Sequence, residues 1–187
     1  MDVPPSPLEW TDNPEANLLI TESPVALLIG YTLDQQMPIE RAFLGPYTLK
    51  SRLGHLDPKR ISDMSIPALA ALMAEKPAIH RFPTAMAARI HELCEALVPY
   101  GSSVEQLWTT APTAKELTRR LRALPGFGEM KAGSLYATLA LQFNVHPKGW
   151  EEELPDHPTL GIVATREERI AYREAKRAWK ASQKVRA

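Results

Sequence analysis

Apolar residues recur at three- and four-residue spacing along most of this chain, and short polar stretches edged by proline or glycine interrupt them. That period predicts helices that bury one face. The residues at the interruptions predict where the helices start and stop. Ser23 before Pro24 has the form of an N-cap with proline at the first helical position, opening "PVALLIGYTLDQQ". Pro38 opens the next helix and Gly45-Pro46 closes it; a short helix then ends at Gly54. Asp57-Pro58 forms another cap pair. "IPALAALMAEK" reads as a further helix, and "PTAMAARIHELCEALVPY" as a longer one ending at Gly101. Thr113 with Glu116 makes a capping box before "AKELTRRLRAL", and Thr165 with Glu168 makes a second before a C-terminal helix over about 165–183. No run alternates with β-branched or aromatic enrichment over a strand's length. The expectation is an all-α chain of about eight to ten short helices. The segment from 144 to 164 is long for a connection, so it is either functional or a crossing strap.

One interruption carries chemistry as well as structure. Between two predicted helices lies "LPGFGEMKA", residues 124–132. Glycine permits backbone angles forbidden to other residues and holds no side chain in a ligand's way. A glycine turn leading into a helix start points free N–H groups outward, where the helix dipole adds positive character. A phosphate oxygen fits such a place. The plain alternative is a tight corner between packed helices.

Composition sharpens that choice. The 187 residues are 44% hydrophobic, enough to bury a core in one domain. With 22 basic and 22 acidic residues the net charge is zero, so no global basicity argues for nucleic acid. Backbone donors at the turn would make a contact that a basic surface otherwise makes. Locally, basic residues outnumber acidic ones from Lys115 to Lys131 and from Tyr172 to the end. The lone Cys94 excludes an internal disulfide and a multi-cysteine metal site, and its helical apolar setting predicts a buried, inert thiol. No apolar run is long enough to span a bilayer, and "MDVPPSPLEW" is acidic and proline-rich rather than signal-like. The expectation is a cytoplasmic protein.

The motifs in this order resemble the HhH-GPD superfamily of base-excision DNA glycosylases, the endonuclease III-like proteins, over roughly residues 20 to 145. "ELTRRLRALPGFGEMKA" resembles the family's helix–hairpin–helix, here spanning 114–143. "FPTAMAARIHELCEALV" resembles the helix before it, and "PVALLIGYTLDQQMPIERAF" resembles the early helix whose end carries a glutamine that reaches into the duplex. The chain most resembles a small bacterial subfamily of about this length, and the resemblance implies no iron–sulfur cluster. The resemblance implies a single, two-lobed HhH-GPD domain over 1–187, acting as a nucleoid-associated monomer. Its partner would be double-stranded DNA carrying damage, with no membrane involved. Gly126, Phe127, Gly128 and Lys131 would lie at the DNA, Gln35 or Gln36 would fill the gap left by an extruded nucleotide, and hairpin carbonyls would hold a monovalent cation bridging to phosphate.

The sequence also departs from the family pattern. Bifunctional members carry a lysine two residues after the last hairpin glycine; Met130 stands there, and Lys131 follows one residue later, about 100° further around a helix. The Val-Asp signature that carries the catalytic aspartate is absent. "LPDHP" resembles the 3-methyladenine glycosylase version, which makes Asp156 the candidate carboxylate, with Glu151, Glu152, Glu153 and Asp34 as alternatives. Lys131 is a candidate nucleophile, but the displaced spacing favours a phosphate contact and a monofunctional enzyme. Tyr31 and Trp150 are candidates to stack on an extruded base, Tyr31 with a core role as its alternative. Trp108 reads as core. His146 and His157 lack metal-ligand spacing, and His55, His80 and His91 form no constellation. The expected function is hydrolysis of the N-glycosidic bond of a damaged nucleotide; the alternative is a non-catalytic binder of damaged or distorted DNA.

Overall fold

The computed structural model describes residues 6–186, and the structure is helical, with no strand among the described residues. Ten α-helices run in chain order: α1 (Pro14–Glu22), α2 (Pro24–Leu33), α3 (Ile39–Leu53), α4 (Pro58–Ser62), α5 (Ile66–Ala74), α6 (Pro83–Leu97), α7 (Gln106–Thr109), α8 (Ala114–Arg122), α9 (Glu129–Phe143) and α10 (Arg166–Arg186). Met1 to Pro5 of the proline-rich start, and the side chains of Lys180, Lys184 and Arg186 in the basic tail, lie outside what is described.

The caps act as their residue types dictate. Ser23 accepts from the Ala26 N–H at 3.2 Å, Asp57 from Arg60 at 2.8 Å and Thr113 from Glu116 at 3.2 Å. The box at α10 is reciprocal: Glu168 N–H donates to Thr165 Oγ1 at 3.2 Å, and Glu168 Oε2 accepts from Thr165 N–H at 2.9 Å. At α8 the box is only half made, because Glu116 turns instead to Arg119 and Arg120.

Three expectations fail. The helix opened by Pro24 stops at Leu33, leaving Asp34, Gln35 and Gln36 in a loop. Gly45-Pro46 does not end α3, which runs on to Leu53 and stops at Gly54 with φ +78°. The reason is packing: both residues are buried, and Leu33 Cδ1 lies 2.3 Å from where a Gly45 Cβ would stand, so tertiary contact holds a helix that local propensity would break. Helix α1, capped by Asn13, was not expected from its proline-rich surroundings.

The buried side chains form one connected cluster, with Trp10, Tyr31 and Phe43 packed edge-to-face near its centre. The chain's beginning and end meet there. Trp10 Nε1 donates to the Val163 carbonyl at 2.7 Å, and Glu9 N–H to Ala164 at 2.8 Å. Buried Arg169 on α10 holds Asp12 at 2.6 Å and lies 3.6 Å from Glu40 on α3. The segment from 144 to 164 is a strap across α9. Gly161 sits so close that a Cβ would lie 2.5 Å from the Ala137 carbonyl carbon. No single described helix is long and apolar enough to cross a membrane.

Candidate functional site

Helices α8 and α9 meet at the glycine turn. Gly126 has φ +77°, a left-handed conformation that favours glycine. The Phe127 N–H closes the turn on the Leu124 carbonyl at 3.1 Å. Gly128 is the N-cap of α9 in ordinary extended backbone, and no side chain caps the helix. A Cβ at either glycine would meet nothing within 4 Å, so the turn faces open space. Phe127 differs from the expectation: its ring is buried, so it offers DNA no side-chain contact. It anchors the turn to the core.

Lys131 enters α9 one turn later and points inward. Its Nζ donates to the Thr32 carbonyl on α2 at 3.4 Å and lies 5.4 Å from the Phe127 ring centre. Burial drives its pKa down to about 8; Asp34 opposes the shift and Arg89 adds to it. Glu129, the acidic neighbour in sequence, is exposed and pairs with Arg122 at 2.9 Å. The expected phosphate contact at the hairpin surface does not match this inward direction.

Asp34, a minor candidate in the sequence, stands where three helices converge. It ends α2, and its charge acts on Lys131 of α9 and on Tyr172 and Lys176 of α10. It also lines a cavity of about 470 Å³ beside Gln36 and α10. Asp156 lies elsewhere. It is exposed on the strap and lines a separate cavity of about 390 Å³ with Met130, Gly133 and Tyr136. The two candidate catalytic residues therefore sit on different faces of α9, because Met130 and Lys131 are about 100° apart on one helix.

The glutamine loop is held from several sides. Arg89 donates to Gln35 Oε1 and Arg81 to Gln36 Oε1. His80, read in sequence as part of no constellation, is buried beneath the loop. Its Nδ1 accepts from the Phe82 N–H at 3.0 Å, which leaves Nε2 to donate to the Gln35 carbonyl at 3.1 Å. Burial keeps its pKa below the ordinary histidine value, so the ring is neutral at pH 7. Gln36 is exposed with φ +53°. No local sequence signal joins His80, Arg81 and Arg89 to this loop.

The two base-stacking candidates do not meet at this place. Tyr31 is fully buried, donates to the Ser134 carbonyl at 3.1 Å and pairs with Thr138 Oγ1 at 2.7 Å. Its ring has no open face, so the core alternative is the one realised. Trp150 stacks on His146 with ring centres 4.1 Å apart, and its carbonyl accepts from Tyr136 at 2.9 Å. It does not line the Asp34 cavity. Trp108 is in the core, and buried Cys94 has its thiol pushed up to about 12 by desolvation.

Comparison with models of known families, with curated proteins and with solved structures finds no match for this chain.

Proposed function

We infer that this protein binds damaged double-stranded DNA through the 124–128 hairpin and excises a base by breaking its N-glycosidic bond, in the manner of the HhH-GPD glycosylases it resembles. The observation that carries this reading is a juxtaposition. The helix that begins at an open, uncapped glycine turn carries, one turn later, a half-buried amine facing the charge of Asp34. A phosphate at the turn would set the register of a duplex without reading sequence. The Gln35–Gln36 loop, fixed by two arginines and His80, would occupy the space of the extruded nucleotide. Asp34, rather than Asp156, would stabilise the cationic sugar or activate water. A monovalent cation, if the hairpin holds one as the family's hairpins do, would be held by hairpin backbone carbonyls and would add positive charge beside the phosphate.

A second chemical route is favoured by the depressed pKa of Lys131. A neutral amine attacks the sugar C1′ and the base departs with the electron pair of the N-glycosidic bond; the sugar ring then opens to a Schiff base, and loss of a 2′ proton expels the 3′ phosphate and cleaves the strand. Incubation with duplexes carrying a panel of lesions separates the readings. Hydrolysis leaves an intact abasic strand that breaks only on alkali treatment. Amine attack breaks the strand directly and yields a borohydride-trapped adduct that Lys131→Ala abolishes. Binding without either product reduces the protein to a binder of damaged DNA. The hairpin has its own control. A methyl at Gly128 meets nothing within 4 Å and needs no special backbone, so Gly128→Ala should fold as the parent does and bind duplex more weakly. Equal duplex binding by parent and variant removes the hairpin from the interface.

A further inference from the structure

The zero net charge of the chain conceals an uneven arrangement. The cavity beside Asp34 is walled on one side by Met37, Pro38 and Ile39, and on the other by three cations of α10: Arg173, Lys176 and Arg177. Spacings of three and four residues put these cations on one face of the helix. On the far side of the same loop stand Arg81 and Arg89. The acidic groups facing this region are Asp34 and Glu40, and Glu40 is taken up by Arg173 at 3.0 Å and Arg169 at 3.6 Å. Arg177 is exposed and has no ion pair to a described residue. At about 470 Å³ the cavity falls within the range of small-ligand sites and has room for a nucleotide.

We propose that α10 is a phosphate grip: Lys176 and Arg177, with Arg173 behind them, hold the backbone phosphates of the nucleotide that occupies the Asp34 cavity. This rests on the reading of the protein as a DNA-binding base-excision enzyme and adds a second anchor to the hairpin. The division of labour follows from side-chain chemistry. Backbone N–H groups at the glycine turn hold one phosphate without charge, whereas the cavity wall supplies charged side chains for the phosphates of the strand that bends inward. Lys176 is suited to remain charged. Burial alone would lower its pKa, but the Tyr172 hydroxyl and the charge of Asp34 outweigh burial and the net shift is upward. The ammonium also lies 5.2 Å from the Tyr172 ring centre, which fixes its direction. Lys131, on the other side of Asp34, is shifted the opposite way. The charge of Asp34 thus acts on two amines, Lys176 with its pKa raised and Lys131 with its pKa lowered to about 8.

The test uses the full chain and two variants, Lys176→Gln/Arg177→Gln and the single charge reversal Arg177→Glu, whose side chain is solvent-exposed and does not endanger the fold. Arg173 is left in place because its pairing with Glu40 ties α10 to α3. Circular dichroism checks helix content. Anisotropy titrations of a lesion-containing duplex across a salt series should give a log–log slope shallower by about 1.8 in the double variant, from two lost phosphate contacts. Arg177→Glu should weaken binding in the same direction. A slope and affinity equal to the parent's in both variants overturn the grip and leave the DNA reading standing. Should the parent fail to bind duplex, the DNA reading falls and a second arm decides the grip. Saturation-transfer NMR compares 2′-deoxyadenosine 5′-monophosphate with 2′-deoxyadenosine. A preference for the nucleotide that disappears in the double variant supports the grip; equal response to both molecules overturns it.

Discussion

The two faces of α9 begin from adjacent residues and lead to different chemistry. Along one, Lys131 and Thr138 turn toward α2, where the Thr32 carbonyl, the buried Tyr31 hydroxyl and the charge of Asp34 meet them. Along the other, Met130, Gly133 and Tyr136 line a cavity of about 390 Å³ under the strap together with Asp156, Glu152 and Glu153. The first face is enclosed enough to move a lysine pKa by burial. The second is lined by exposed carboxylates. A catalytic carboxylate needs a water-poor setting in which fixed charges act strongly. The chemistry proposed for Asp34 rests on its charge acting on a buried amine rather than on the number of acidic residues, which favours the second face.

The sharpest way to break this assignment is to neutralise one carboxylate on each side. Asp34→Asn should lower the excision rate on the order of 10²-fold or more, and Asp156→Asn should leave it within about twofold, by alkali-developed strand cleavage. The opposite pattern would return the active site to the strap. Next in size is a packing contrast on the strap itself. Gly161→Ala drives a methyl to within 2.5 Å of Ala137 backbone and should cost about 2–3 kcal/mol in urea unfolding. Gly133→Ala places its methyl 3.7 Å from Pro155, an ordinary contact in a helix, and should be neutral or slightly stabilising. Equal effects would mean that the strap does not sit on α9 as described.

The enclosure of Lys131 has its own signature in pH. Below pH 8 the folded and unfolded chains both carry the proton, and the full cost of burying the cation is present. Between about 8 and the ordinary value of 10.5 the folded chain releases the proton while the unfolded chain keeps it, so stability rises with pH through that window. Lys131→Met should therefore stabilise the fold by about 2 kcal/mol at pH 7, with a gain that shrinks toward pH 10. A pH-independent difference would place the amine in water. The smallest effect expected is at Tyr31. Removing its hydroxyl with Tyr31→Phe should cost about 1 kcal/mol, and more if Thr138 is left unpaired, with duplex binding unchanged. Lost binding with unaltered stability would restore it as a stacking residue.

What the sequence disclosed follows the range of the interactions concerned. The caps at Ser23, Asp57, Thr113 and Thr165 and the glycine turn at 126–128 are contacts within a few residues, so the all-α character and the hairpin were readable from local pattern. Pro46 misled for the complementary reason: its helix is held by Leu33 and Ile79, side chains from outside it. The site lies at the far end of this scale. Thr32 and Lys131 are 99 residues apart, and His80 reaches Gln35 across 45. Nothing in a linear pattern ranks Asp34 above a run of three glutamates. The inward turn of Lys131 needed the rotation of α9 about its axis, which tertiary packing sets.

The stitch between the two ends of the chain governs when the protein can become itself. Trp10 is fully buried, yet its indole partner is the carbonyl of Val163, and Asp12 waits for Arg169. A ribosome adding ~5–20 residues per second takes on the order of ten to thirty seconds between those segments. Throughout that interval the first helices have emerged without the surface that completes their core. The early helices do pack on one another, with Trp10 against Tyr31 and Phe43, so that part of the core can gather while the indole N–H and Asp12 still lack their partners. Until residues 163 to 169 are made, the indole N–H of Trp10 and the carboxylate of Asp12 are without the partners that lock them in the folded protein.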